Sequence, residues 1–217
     1  MSDILIADDH PLFRDALERA VSAALPSAVV HSADSVLALQ ELVEDRPDAD
    51  LLLLDLHMPG AHGYSALVHL RGSHPGLPII VVSALEGASV ARRALAHGAS
   101  AYIPKSAPVE EIGAAIRAVL DGDVWLPASL QTGHAALLKP DEVDVATRIS
   151  QLTPQQFRVL TMLADGLLNK QIAYELGVTE ATVKAHMTAI MRKLGVHNRT
   201  QVALAAQQLA LDPDALP

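Results

Sequence analysis

The chain contains no cysteine, and aromatic residues make up only 3% of its 217 residues. Without thiols there is neither a disulfide frame nor a thiolate metal site. Long apolar runs are also missing: stretches such as Leu77 to Val82 fall far short of the roughly 20 residues a membrane span needs. The start, Met1-Ser2-Asp3, lacks a signal peptide's basic region. These scarcities lead to an expected cytoplasmic location with no membrane partner. What remains is a globular composition, 50% hydrophobic, enough for ordinary cores in one or two domains.

The net charge of −9 argues against nucleic acid until it is divided along the chain. Eight Lys and Arg face 15 Asp and Glu through residue 120, one faces five over 121–147, and seven face five from 148 onward. Only the C-terminal piece is basic, so any polyanion contact is expected there.

The stretch from Leu51 to Gly63, LLLLDLHMPGAHG, is central. Four leucines closed off by Pro and Gly read as a strand buried on both faces, as in a parallel sheet. Asp55 then emerges at the strand's carboxyl end, where open α/β sheets bind ligands. An Asp capping a turn would be the structural alternative. Around this strand, apolar runs at 4–7, 28–31, 78–83 and 101–103 alternate with helical patterns opened by Pro11, Ser35, Tyr64, Ser89 and Pro108. Five βα units over residues 1–120 predict a doubly wound five-stranded parallel sheet. Residues 121–150 read as an acidic linker broken by Gly122, Pro127, Gly133 and Pro140, with room for one helical stretch around 135–138. From 151 to 212 a small all-α unit is expected, opened by a capping box at Thr153-Pro154-Gln155-Gln156.

In a flavodoxin-like strand order the first and third strands are neighbours, so Asp8, Asp9 and Asp55 converge. Unit charges about 4 Å apart repel by roughly 4 kcal/mol at an effective dielectric near 20, so three carboxylates there call for a cation. A hard divalent ion, Mg2+, suits an all-oxygen site that keeps positions open for water and phosphate. Ser83 ends the fourth strand and Lys105 follows the fifth, adding a hydroxyl and an ammonium to the same pocket.

With Asp8-Asp9, Asp55-Leu-His-Met-Pro-Gly, Ser83-Ala84, Tyr102 and Lys105 in place, residues 1–120 resemble the receiver domain of two-component response regulators. The resemblance implies that Asp55 accepts a phosphoryl group from the phosphohistidine of a sensor histidine kinase, or from a small acyl phosphate. It implies a Mg2+ held by Asp9, Asp55 and the backbone carbonyl of His57, with Asp8 linked through water. Lys105 and Ser83 would contact the new phosphoryl group, and Tyr102 would turn inward as a switch. The pattern departs from the family at Lys105, which is preceded by Pro104 and followed by Ser106 rather than proline.

The C-terminal unit reads as helix, glycine turn, helix. Its second helix turns Val183, Met187, Ile190, Met191 and Leu194 inward and Thr182, Lys184, Thr188 and Arg192 outward. A basic, Thr-bearing face suits a recognition helix in the major groove, although an amphipathic helix docking on protein would share the pattern. Leu152-Thr153, Asn169-Lys170-Gln-Ile-Ala, Thr182-Val-Lys184-Ala-His186 and Lys193-Leu-Gly-Val-His-Asn-Arg199 resemble the LuxR-type helix-turn-helix, and with the receiver the chain resembles a NarL/FixJ-type regulator. The resemblance assigns base reading to Lys184, Ala185 and Thr188, and backbone contact to Asn169, Lys170, Thr182, His186 and Arg192. Leu168 stands where the family usually has Ser or Thr, leaving the next helix's N-cap to Asn169 or to nothing.

The expected function is a DNA-binding transcription regulator switched by phosphorylation of Asp55, homodimeric on double-stranded DNA when modified. Two rivals frame it. One is a LuxR-type regulator controlled by a protein or ligand without phosphate. The other is a metal-dependent phosphohydrolase, which the sequence equips poorly because no second acid stands two residues after Asp55.

Overall fold

The computed structural model describes residues 2–131, 138 and 140–210. Its first half alternates β1 (Asp3–Ala7), α1 (Pro11–Ala24), β2 (Val29–Ala33), α2 (Val36–Asp45), β3 (Leu51–Asp55), α3 (Ser65–Ser73), β4 (Ile79–Ser83), α4 (Ala88–Ala96), β5 (Ala101–Pro104) and α5 (Val109–Leu120). The strands form one parallel sheet in the order β2-β1-β3-β4-β5, so the expected doubly wound fold is present.

The four leucines of β3 explain the layering. Successive side chains of a strand point to opposite faces. Leu51 and Leu53 join Leu17, Val21, Ile112 and Ile116 under α1 and α5. Leu52 and Leu54 join Leu39, Leu67 and Ala91 under α2, α3 and α4. Pro104, which cannot donate to a ladder, sits at the end of the edge strand β5, where it does no harm. Register pairs Ala7 with Leu54, Asp55 with Val82 and Ser83 with Pro104, which brings the carboxyl ends of four strands to one rim.

Residues 121–150 depart from the expected linker. Pro140 does not break a helix but begins one, α6 (Pro140–Ile149). Proline is well placed at a helix start because the missing N–H would be unpaired there, and Asp141 and Glu142 in the first turn complement the dipole. The helical stretch expected around 135–138 lies, Leu138 apart, outside the described residues.

Four further helices follow: α7 (Pro154–Ala164), α8 (Asn169–Glu175), α9 (Glu180–Leu194) and α10 (Arg199–Gln207). The capping box forms as read, with Thr153 Oγ1 accepting from Gln156 N–H and Gln156 Oε1 accepting from Thr153 N–H. Leu168 is the N-cap of α8 and offers no cap, and Asn169 is already inside the helix; only Gln171 reaches back, its Oε1 2.8 Å from Leu168 N. Helix α9 ends on Gly195 at φ +69°, a left-handed geometry that glycine adopts without strain. The apolar layer under α2 to α4 runs on without interruption into Ile149, Phe157, Leu160 and Ile190, so the helical unit is packed against the sheet unit.

Candidate functional site

The rim of the sheet gathers the acids as expected. Asp8 and Asp55 are buried, and Lys105 Nζ lies 2.7 Å from Asp8 Oδ2 and 2.9 Å from Asp55 Oδ2. Lys105 is set there by the strand it follows: its own N–H donates to Ser83 O at 2.7 Å, and its ammonium lies 4.8 Å from the centre of the Phe13 ring. Lys105 bridges two of the three carboxylates, Asp8 and Asp55, and three carboxylates against one ammonium leave a surplus of two negative charges. Burial alone would raise the Asp55 carboxyl. Hydrogen bonds from His57 and Lys105, and the Lys105 charge, outweigh it and hold the group below the usual carboxylate range, so Asp55 is ionised.

The donor set fits a divalent cation. One ligand atom each from Asp8, Asp9, His10 and Asp55 lie within 4.8 Å of one another. Asp8 Oδ2 and Asp9 Oδ1 are buried oxygens that accept no aligned hydrogen bond, their ion contacts notwithstanding. His57 approaches from the following loop, its N–H donating to Asp55 Oδ1 at 3.0 Å.

Ser83 and Tyr102 line the next two strands. Ser83 is fully buried, with Oγ accepting from Leu85 N–H at 3.3 Å. Tyr102 is fully buried, with its hydroxyl donating to Leu85 O at 2.6 Å. Burial pushes this phenol up to about 12.

In the C-terminal unit, Lys184, Ala185, Thr188 and Arg192 are exposed on α9, while Val183, Met187, Ile190 and Leu194 are buried as read and Met191 is half-buried. Thr182 and His186 are half-buried, Thr182 next to the N-cap Thr179. Lys170 is exposed on α8 beside half-buried Asn169. An open concavity of about 790 Å3 connects Asn169, Lys170, Lys184, Thr188 and Arg199. Sequence reasoning missed Arg199 as part of this surface. It braces α8 by donating to Leu167 O and to Asn169 Oδ1.

Sequence reasoning also missed the seam between the two units. The loop that follows Asp55 forms part of it: His62 Nε2 lies 3.2 Å from Thr161 O and 3.4 Å from Asp165, and Tyr64 N–H donates to Leu209 O at 2.8 Å. Arg158 Nε donates to Gln40 Oε1, and buried His69 stacks on Phe157. Helix α6 is latched to α4 through Glu142 Oε1, 2.8 Å from both Arg93 Nη2 and His97 Nε2. Residues as distant in the chain as 62 and 161 carried no local signal of this contact.

A parallel sheet with buried acids and a lysine at its switch point, joined to a helix-turn-helix with an exposed basic face, defines a signal-receiving regulator that reads DNA. The chain belongs to the response regulators: the response regulator receiver domain matches residues 4–117, and the luxR family of bacterial regulatory proteins matches residues 150–206. It is similar to the glycerol metabolism activator of Pseudomonas putida, 43% identical over 211 residues and 95% of each chain. It is also similar to the nitrate/nitrite response regulator NarL of Escherichia coli K12, 34% identical over 205 residues and 94% of each. Among solved structures, RcsB of Salmonella enterica bound to a promoter shares the fold at TM-score 0.55 and 22% identity, over 96% of this chain and 99% of that one. The protein is thus a DNA-binding response regulator of the NarL/FixJ type, and its receiver domain implies phosphorylation by a kinase. No helix among the described residues is long and apolar enough to cross a membrane.

Proposed function

We propose that Asp55 is the phospho-acceptor and that its modification governs DNA binding by the C-terminal helices, with 1–120 as receiver, 121–150 as connector and 151–212 as the DNA-binding unit. The observation that carries this reading is the ionised Asp55 carboxylate held 2.9 Å from the Lys105 ammonium, beside Asp8 and Asp9, at the carboxyl rim of the sheet. Asp55 attacks the phosphorus of a phosphohistidine or acyl phosphate, a P–O bond forms and the bond to the donor breaks. An opening of about 570 Å3 walled by Leu12, Phe13, Ala84 and His57 leads to it. Lys105 counters the charge that develops on the transferred group, and Ser83 supplies a hydroxyl to the product. Asp8, Asp9, Asp55 and the His57 carbonyl would hold Mg2+, which when bound neutralises phosphoryl oxygens.

On DNA, Lys184, Ala185 and Thr188 read base edges, and Asn169, Lys170, Thr182, His186 and Arg192 contact the backbone. Only Lys184 in the reading row is a strong donor, so phosphate contact and DNA shape carry much of the binding. The active form is a homodimer on paired half-sites, acting in the cytoplasm under a sensor histidine kinase. Moving a closed to open equilibrium from 1:99 to 99:1 takes about 5.5 kcal/mol, a magnitude within reach of a new dianion beside Lys105. Incubation with acetyl phosphate and Mg2+ should give an adduct of one phosphoryl group on Asp55 by mass spectrometry, absent in Asp55→Asn. An unmodified wild-type chain under those conditions rejects the reading.

A further inference from the structure

Helix α1 begins with a residue poorly suited to begin it. Its N-cap is His10, in extended backbone geometry, followed by Pro11, and the His10 side chain caps no backbone N–H. N-caps are ordinarily Ser, Thr, Asp or Asn, whose side-chain oxygens accept from the first turn. An imidazole here has no such task. Its ring is turned to the acids instead: Nδ1 lies 2.7 Å from Asp9 Oδ1 and 3.7 Å from Asp8 Oδ1. The backbone fastens it there, because His10 N–H donates to Asp8 Oδ1 at 2.8 Å. With its side chain 66% exposed, His10 is not held at the site by core packing.

The donor atoms therefore number one nitrogen and three carboxylate oxygens inside a 4.8 Å envelope. Opposite ligands of an octahedral ion with bonds near 2.1 Å are about 4.2 Å apart, so this envelope is close to the span of one ion's ligand shell. Asp8 Oδ2, fully buried and without an aligned hydrogen bond, has the Lys105 ammonium 2.7 Å away as its charged neighbour, and the single Lys105 charge is shared with Asp55. Mg2+ is a hard ion that prefers oxygen and gains little from imidazole, whereas Mn2+, Co2+ and Zn2+ accept imidazole readily.

We propose that His10 is a direct ligand of the cation in the phospho-acceptor pocket, and that this nitrogen shifts the pocket's preference from Mg2+ towards borderline divalent ions such as Mn2+. The inference rests on the acidic-site reading above. His57, the other imidazole beside the pocket, lies farther out, with Nδ1 3.8 Å from Asp55 Oδ1, and is not assigned this role.

The test uses the full chain, stripped of metal by chelation, with Mn2+ added and pulsed electron paramagnetic resonance reading nitrogen coupled to the bound ion. The expected result is an imidazole nitrogen signal in wild type and in His57→Ala, lost in His10→Ala. Competition titrations against Mg2+ should show the Mn2+ over Mg2+ preference falling about tenfold in His10→Ala. Because His10 is exposed and caps nothing, that variant keeps its fold, which circular dichroism checks. Mn2+ bound without a nitrogen signal, or a signal and preference that survive His10→Ala, overturns the proposal and leaves the acidic site standing. Mn2+ binding that is absent in wild type, or unaffected by Asp9→Asn, overturns the acidic-site reading itself.

Discussion

His69 of the receiver and Phe157 of the DNA-binding unit stack with ring centres 4.1 Å apart and planes 7° from parallel. The imidazole is buried, and desolvation pulls it down to about 4 from an ordinary 6.5, so it is neutral in the closed chain. A histidine whose pKa is depressed only while the units are docked makes docking weaker as pH falls below 6.5, because the undocked form takes up a proton that the docked form refuses.

Acidification from pH 7 to 5.5 should therefore favour the open form about tenfold through His69 alone. His97, whose imidazole burial also pulls down, works in the same direction. Small-angle scattering should show the radius of gyration rising over this range, and His69→Phe should flatten the response. A radius indifferent to pH in wild type contradicts the account.

Gly72 leaves no room for a side chain between α3 and the segment after α6: a Cβ there would lie 2.6 Å from Ser150 Cβ and press on the Ser150 backbone. Backbone cannot swing aside as a flexible side chain does, so Gly72→Ala should cost the docked state about 1–3 kcal/mol. Unphosphorylated Gly72→Ala should bind promoter DNA more tightly than wild type, and its linker should be cut faster by protease.

Glu142→Gln tests the latch to α4. The Glu142 side chain is 9% exposed and that of His97 1%, so the change leaves Arg93 with its buried ion partner gone. Breaking one side of such a pair costs about 3 kcal/mol. Hydrogen exchange should speed up along α6 more than along β3, whereas replacing exposed Asp144 with Asn should leave α6 nearly unchanged.

Lys105→Met removes the ammonium from between Asp8 and Asp55 and leaves three carboxylates with no internal cation. Thermal unfolding should show a lower midpoint without metal and a larger upward shift on adding Mg2+ than wild type shows, since the ion then relieves more repulsion. Phosphoryl uptake from acetyl phosphate should fall at the same time.

On DNA, Lys184→Ala should cost about 1–3 kcal/mol of specific affinity. Lys170→Ala should weaken binding to all sequences alike and reduce the slope of log affinity against log salt by about one. Fluorescence anisotropy over a salt series separates the two.

Much of this site could be read along the chain because its parts are local patterns. LLLLD is short, apolar and ended by Pro and Gly, which only a buried parallel strand explains, and the acids and lysine follow strand ends that topology must bring to one rim. Helix α6 was misread because Pro140 and its acidic neighbours look like loop residues, yet the same residues suit a helix's first turn. His10 passed unremarked because a histidine after two aspartates has no meaning until Nδ1 is seen to face Asp9.

Sequence alone determined the order of strands and helices over residues 1–120, the burial of both faces of β3 and the polar face of α9, since each follows from a periodicity of 2 or 3.6 residues acting within a single segment. Only the tertiary structure decided that His69 meets Phe157, that Glu142 meets Arg93 and His97, and that the Tyr102 hydroxyl meets Leu85. Those contacts join residues 17 to 88 positions apart, and which apolar surface covers another is set by the packing of whole layers, where no short stretch of sequence carries the information.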